Sequence, residues 1–189
     1  DSANTGNTTD TSDPQNSAAV EIDTSDLFSG RDKEIGYDET ESVSIQLSDQ
    51  STSCTSDAVK ISGNTVTITD EGTYVLSGNL TDGMVVVEAE DTDKVQLVLQ
   101  NAQITNAQSA ALYIRCADKV FVTLAPETQN SLQNGGAYTA IDENQIDAAV
   151  FSKSDLTFNG EGMLTVTADA GHGIVSKDDL VFTSGDYAV

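Results

Sequence analysis

Large apolar residues recur at every second position in short runs along the chain from Thr65 onward. Val95, Leu97 and Leu99 form one such run, and Leu156 and Phe158 begin another. Alternation with a period of two gives a β-strand one inward face. Between the runs stand polar turns in which Gly or Asn supplies positive φ, at 70–72, 77–79, 81–83, 159–162 and 184–186. The pattern predicts an all-β chain of short strands.

The same strand entry recurs along the chain. The run Asp93–Leu99 is followed about 25 residues later by Asp118–Leu124, and related runs begin at Ser154 and Asp178. Three short strands in each repeat close a triangular turn, and stacked turns pair in parallel. The repeat predicts a right-handed single-stranded parallel β-helix, a solenoid with about 25 residues per coil, because a β-sandwich would not reproduce this entry at that spacing.

The composition of the chain predicts three segments. Residues 1–26 are predicted to be a disordered polar tether, 27–64 a lead-in and N-terminal cap, and 65–189 the coils. The tether has no large apolar residue before Val20 and cannot bury enough surface to offset its ordering entropy. Because the sequence stops at Val189 within an expected second strand, we expect a solenoid truncated at its C-terminus. The sequence does not begin with a signal peptide. We therefore expect either a cytosolic protein or a mature chain whose leader has been removed, and the tether favours the mature chain.

Charge narrows the classes of partner. The chain carries 8 Lys and Arg against 31 Asp and Glu, a formal net charge of −23 at pH 7. Binding to nucleic acid or to anionic membranes needs clustered basic residues, so we expect neither. No run of apolar residues approaches the length needed to insert directly into a membrane. We expect the partners to be cations or neutral polymers. We also expect the protein to be a monomer.

The two cysteines, Cys54 and Cys116, are too few for a disulfide scaffold. They form one bridge if the protein is exported, or Cys116 is a small buried core residue. The sequence leaves both alternatives open.

Five runs carry a resemblance to known proteins: Thr65–Thr69 (TVTIT), Glu71–Gly78 (EGTYVLSG), Val95–Leu99 (VQLVL), Ala148–Gly160 (AAVFSKSDLTFNG) and His172–Leu180 (HGIVSKDDL). With the lead-in Asp32–Leu47, they resemble the clostridial family of extracellular carbohydrate-binding lipoproteins that fold as right-handed parallel β-helices. The resemblance implies binding, rather than cleavage, of plant cell-wall polysaccharide, both cellulose and acidic pectic sugars. It also implies bound calcium and a location outside the cell, anchored to the surface of a Gram-positive bacterium.

Stacking the repeats places acidic residues in columns. Carboxylates in adjacent rungs, about 4.8 Å apart, repel each other. Lys94 and Lys119 offset this repulsion in the early coils, whereas later coils have only Lys153 and Lys177 nearby. Ca²⁺ takes oxygen ligands and suits a carboxylate-rich turn, and a solvated acidic face without a site is the alternative. The predicted calcium ligands of this column are Asp155, Asp178 and Asp179.

One repeat is enlarged by about a dozen residues between Leu132 and Ala148. Long loops on a regular scaffold are often functional, although a tolerated insertion is the alternative. The loop offers Tyr138 as a stacking ring for a sugar, and Asp142, Glu143 and Asp147 as further calcium ligands. The predicted carbohydrate-binding residues are Tyr138, Lys153, Lys177 and His172.

These observations favour a non-catalytic, calcium-dependent polysaccharide-binding module. A pectate-lyase-like enzyme on the same scaffold is the first alternative, but it needs a base beside the sugar, and the only arginines are Arg31 and Arg115. A glycoside hydrolase needs a carboxylate pair, and the 31 Asp and Glu residues leave this alternative open. A structural surface spacer or adhesin is the last alternative. The sequence contains no GxSxG, P-loop, HExxH or CxxC motif.

Overall fold

The computed structural model describes residues 27–189, so the predicted tether over 1–26 lies outside the described residues. Apart from a 3₁₀ turn at Arg31–Lys33, the regular structure of this part is entirely β, as the alternation predicts. Its fifteen strands are β1 (Val43–Ser48), β2 (Val59–Ser62), β3 (Thr65–Ile68), β4 (Gly72–Leu80), β5 (Met84–Glu88), β6 (Lys94–Asn106), β7 (Leu112–Cys116), β8 (Lys119–Leu124), β9 (Gln129–Asn134), β10 (Ala148–Ser152), β11 (Asp155–Gly160), β12 (Met163–Ala168), β13 (His172–Ser176), β14 (Leu180–Phe182) and β15 (Asp186–Ala188).

The recurring strand entry aligns neighbouring strands in parallel. Val95 of β6 is opposite Val120 of β8, Val120 is opposite Leu156 of β11, and Leu156 is opposite Leu180 of β14. Equivalent apolar positions of successive repeats therefore stack on one another. This register keeps the inward-facing side chains of each strand on the buried side. If one strand slipped by one residue, all of these side chains would turn outward.

The strands form two sheets. The first is a nine-stranded parallel sheet with the order β14-β11-β8-β6-β9-β12-β15, to which β4 and β1 are joined through β6. It wraps into a half-barrel, because the first part of β6 pairs with β8 and the last part with β9. Asn101 stands between these two parts with a left-handed φ of 56°. The second sheet has six strands in the order β13-β10-β7-β5-β3-β2.

The prediction of a right-handed single-stranded parallel β-helix, a solenoid with about 25 residues per coil, is wrong. The second sheet is mixed, because β2 and β3 form an antiparallel hairpin in which Val59 is opposite Ile68. Gly63, with φ of 58°, lies in the turn of this hairpin. The first sheet is continuous through the 13-residue β6, where the sequence predicts separate short strands. Alternation defines a strand and its inner face, but it does not define the sheet that the strand joins.

One apolar core fills the space enclosed by the sheets. Its members from β6, β8 and β11 include Leu97, Val122 and Phe158, which are fully buried. Side chains between them in sequence point to the opposite, outer face of the first sheet. Several of these outer residues are buried although they are polar: Gln96, Thr123, Thr157 and Asn159.

The lead-in segment covers these outer polar residues. The Asp32 carboxylate accepts hydrogen bonds from Thr157 Oγ1 at 2.7 Å and from Ser29 Oγ at 2.7 Å, and Lys119 Nζ lies 2.8 Å away. Asn159 Nδ2 donates to the carbonyl oxygens of Asp32 and Glu34 at 3.0 and 3.1 Å. The lead-in is therefore fixed to the sheet through a charged residue whose side chain is only 4% exposed.

Stability should depend on the ionisation of Asp32. Burial by itself would raise the pKa of this carboxyl, but the hydrogen bonds from Lys119, Thr157 and Ser29 outweigh burial and hold the pKa below its ordinary value of 3.8. A carboxyl with a depressed pKa in the folded state stabilises the fold at neutral pH, and its contribution is lost as pH falls through the folded pKa. We therefore expect the difference in unfolding free energy between wild type and Asp32→Asn to shrink as pH falls below about 4. Urea unfolding at pH 7 and at pH 3 measures this difference, and a constant difference would contradict the expectation.

Cys54 and Cys116 are both free and half-buried, so the structure contains no bridge between them.

Residues 27–189 contain no helix of the length and apolarity needed to cross a membrane.

Candidate functional site

The enlarged loop, residues 135–147 between β9 and β10, lies against the outer face of the second sheet. We call it the cover loop. It helps to enclose a second apolar cluster that is separate from the core, made of Met84, Val86, Ala110, Tyr113, Ile146, Ala148 and Phe151, with Tyr138 and Val175 partly buried beside them. The loop thus packs on the sheet through Ile146 and the partly buried Tyr138, while eight of its thirteen residues are exposed.

Asp142 holds the cover loop to the sheet. Its Oδ2 accepts a hydrogen bond from the Tyr113 hydroxyl at 2.8 Å and lies 3.3 Å from Arg115 Nε. Asn144 Nδ2 also donates to the Tyr113 hydroxyl at 2.8 Å. Burial alone would raise the pKa of Asp142, but hydrogen bonds from Asn144 and Tyr113 and the charge of Arg115 leave it below the ordinary value. This predicted calcium ligand is engaged as an anchor of the loop.

Tyr138, the predicted stacking ring, faces the turn before β13. Its hydroxyl donates to the carbonyl oxygen of Ala170 at 2.9 Å. Burial and the nearby charge of Asp147 raise its pKa. Tyr138 is therefore half-buried against this turn.

A groove remains open where the cover loop ends against the sheet. We call this cavity of about 380 Å³ the loop groove, and it is lined by Thr65, Met84, Val86, Asn106, Gln108, Ser109, Thr139 and Ile141. Hydrogen bonds to two backbone carbonyls attach its wall: Thr139 N donates to Gln108 O at 2.7 Å, and the side chain of Asn134 donates through Nδ2 to Ser109 O at 2.8 Å. The floor is apolar, and the rim carries hydroxyl and amide groups.

Ser109 has an unusual environment in this groove. The residue is 3% exposed, and its Oγ has no hydrogen-bond partner among residues 27–189. A buried hydroxyl without a partner costs about 1–3 kcal/mol. Because this Oγ is closed to solvent, a group in the groove would hydrogen-bond to it only after a small shift of the side chain, and that bond would recover the free energy.

Three of the predicted sugar-binding residues lie at exposed positions around the second sheet. His172 begins β13, and its backbone N donates to Asp147 O at 2.8 Å. Lys177 Nζ lies 5.4 Å from the centre of the Phe151 ring. Lys153 is exposed in the turn after β10. Tyr138 and His172 are thus near one turn, whereas none of the four predicted residues lines the loop groove.

The predicted calcium ligands are not brought together. Asp179 N donates to Asp155 Oδ1 at 3.3 Å, so these two turns adjoin, and Asp178 lies beside them. Glu143 is exposed, and Asp147 Oδ1 is buried with no hydrogen bond to any residue that the structure describes. Across the described residues, no three His, Cys, Asp or Glu side chains form a group that could hold a metal ion. Calcium binding stays a prediction.

Sequence reasoning missed the residues of the loop groove. A signal was present in the run Met84-Val85-Val86-Val87, because a continuous apolar run is typical of a strand that is covered on both faces. Met84 and Val86 face the loop groove, while Val85 and Val87 face the core. Gln108 and Ser109 lie in an ordinary polar turn and carry no such signal.

Comparison with known proteins gives three findings. A sequence model of the family described as "Carbohydrate-binding domain-containing protein" matches residues 62–189. A protein of that same description from Acetivibrio thermocellus is 36% identical over 135 residues, which are 70% of this chain and 47% of that protein. The chain thus spans about half the length of this curated relative.

The third finding is a solved structure, that of "the polysaccharide lyase-like protein from C. thermocellum", as a gadolinium derivative. It is similar to this chain with a TM-score of 0.74 and 33% sequence identity. The similarity covers 77% of this chain and 60% of the other.

Proposed function

We propose that this chain, which belongs to the carbohydrate-binding domain-containing family, binds a polysaccharide in the loop groove without cleaving it. The observation that carries the proposal is the lining of the loop groove, where hydroxyl and amide groups stand beside an apolar floor. Sites for small polar ligands typically combine an apolar surface with a few polar groups that fix orientation. Sugars match this lining, because each ring has hydroxyls at its edge and C–H groups on its faces.

The same lining argues against cleavage in this groove. None of its eight residues has a titratable side chain. Hydrolysis of a glycosidic bond requires a pair of carboxyl groups, and elimination from a uronate requires a base. Neither is supplied by the residues that would surround the sugar.

A neutral chain such as cellulose suits the loop groove better than an acidic pectic chain. The lining has no cation to pair with a uronate, and the protein carries a net charge of −23. An acidic polymer would have to be bridged to the protein by a cation such as Ca²⁺. Calcium dependence is therefore proposed for acidic polymers only. The proposal places the protein outside the cell, anchored to the surface of a Gram-positive bacterium, where it would meet such polymers.

Removal of the Ser109 hydroxyl should separate binding from stability. We expect Ser109→Ala to bind a soluble cello-oligosaccharide about fivefold more weakly, because one hydrogen bond to the sugar is lost. The free protein should gain about 1 kcal/mol of stability, because an unpaired buried hydroxyl is removed. Isothermal titration calorimetry measures the affinity, and urea unfolding measures the stability.

The matched control is Ser51→Ala, at an exposed serine away from the groove, which should change neither quantity. Unchanged affinity in Ser109→Ala would place sugar binding elsewhere.

Titration of polygalacturonate with Ca²⁺ and then with chelator tests the calcium prediction. Absorbance near 232 nm, followed in the same sample, would rise if the chain were instead a lyase that produces unsaturated uronate.

A further inference from the structure

The segment between the lead-in turn and β1 forms a second groove on the outer face of the first sheet. Two cavities of about 310 and 240 Å³ lie there, and Tyr37 and Glu39 line both of them. The first is also lined by Pro126 and Glu161, and the second by Ser42, Ser44, Val75 and Gln100. We call the pair of cavities the Tyr37 groove, since the half-buried Tyr37 lines both.

Both ends of this segment are fixed, although the segment itself has no regular structure. On one side, Asn159 holds the carbonyl oxygens of Asp32 and Glu34. On the other, β1 pairs with β4 from Val43 onward. Asp38 Oδ1 accepts hydrogen bonds from Thr40 N and Oγ1 at 2.8 and 2.7 Å, which tightens the turn between them. Tyr37 is thus positioned before any ligand arrives, and this lowers the entropic cost of binding.

The chemistry of the Tyr37 groove suits an uncharged sugar. An aromatic ring offers a flat apolar face for the C–H groups of a pyranose. Gln100, Ser42 and Ser44 offer hydrogen bonds, and Glu39 and Glu161 accept them from sugar hydroxyls. None of the residues that line the two cavities is Lys or Arg. A uronate would therefore meet two carboxylates without a compensating cation.

We propose that the Tyr37 groove is a second carbohydrate-binding site, selective for neutral sugar units. It is separate from the loop groove, because the two lie on the outer faces of different sheets. Tyr37, Glu39, Ser42 and Ser44 precede residues 62–189, so the family match does not cover these four lining residues. With two sites on different faces, one molecule can hold two segments of a polysaccharide.

The test uses the full chain and a soluble cello-oligosaccharide in isothermal titration calorimetry. We expect wild type to bind two equivalents. Tyr37→Ala should weaken the affinity for the second equivalent about tenfold, because the stacking ring is lost. Tyr37→Phe retains the ring and should bind as wild type does. An oligogalacturonide of matched length, with chelator present, should give no heat at this site.

The variants separate this inference from the loop-groove proposal. If Tyr37→Ala loses affinity and Ser109→Ala does not, the Tyr37 site stands and the loop-groove proposal fails. If Tyr37→Ala keeps the stoichiometry and affinity of wild type, the second site is refuted whatever Ser109→Ala does. Absence of binding by wild type would overturn both. An unchanged melting temperature of Tyr37→Ala shows that lost affinity is not lost folding.

Discussion

Asp32→Ala is expected to lower the free energy of unfolding by about 3 kcal/mol, because Asp32 contacts Lys119 and Thr157, which lie far from it in sequence. Removing one partner of a buried ion pair leaves the other charge uncompensated, at a cost of about 3–5 kcal/mol. Here the substitution would leave Lys119, whose side chain is 16% exposed, without its carboxylate. It would also remove the acceptor of Thr157, which is fully buried. Urea unfolding at pH 7 measures the change.

The control for this prediction is Asp91→Ala, at an exposed aspartate in the turn before β6, which should leave the unfolding midpoint unchanged. The double substitution of Asp32 and Lys119 to alanine should cost less than the sum of the two single changes, because it removes both charges together. Equal midpoints for wild type and Asp32→Ala would show that the lead-in contributes nothing to the stability of the fold. Because the same residue anchors the segment that carries Tyr37, Asp32→Ala should also weaken sugar binding at the Tyr37 groove.

Asp142→Ala is expected to release the cover loop and to lower the free energy of unfolding by about 2 kcal/mol, the order of a hydrogen bond to a charged group. The Asp142 side chain is 8% exposed and contacts both Tyr113 and Arg115. Without it, Thr139 would still be attached through its N–H to Gln108 O, but Ile141 would lose the neighbouring anchor that holds it as a wall of the loop groove. Amide hydrogen exchange should therefore accelerate in the cover loop, and affinity for the cello-oligosaccharide should fall.

Glu143→Ala provides a neighbouring control, because Glu143 is exposed on the same loop. If Asp142 acts as an anchor, Glu143→Ala behaves as wild type in exchange and in binding. If the two residues were instead joint calcium ligands, both variants would lose calcium affinity together while the exchange of the loop stayed slow without calcium. Titration with Ca²⁺ and hydrogen exchange in the presence of chelator distinguish these results.

The strands were predictable because their signal is local. Neighbouring side chains of an extended backbone point to opposite faces, so alternation at Leu97 and Leu99 or at Leu156 and Phe158 reveals both the strand and its inner face. The parallel register was also present in the repeat, as the pairing of Val95 with Val120 shows. Both features depend on residues within one repeat or on the similarity of adjacent repeats.

The sheets and the candidate sites were not predictable in the same way. The hairpin of β2 and β3 and the bend within β6 decide which sheet each strand joins, and neither changes the alternation. The cover loop offered acidic residues that suit calcium, but Asp142 is paired with Arg115 and Tyr113, and the loop itself builds a groove with Ser109. A side chain's chemistry is visible in the sequence, whereas its partners are not.

The sequence by itself therefore determined that residues 27–189 form a β-structure, where most of its strands lie, which residues face the core and that the protein is strongly acidic. Only the tertiary structure decided that the lead-in is bound to the first sheet through Asp32, that the enlarged loop covers the second, and that two grooves remain open. The physical reason is distance along the chain. Asp32 and Thr157 are 125 residues apart, and Tyr113 and Asp142 are 29 apart. Contacts of that kind depend on how the whole chain packs, and no local pattern records them.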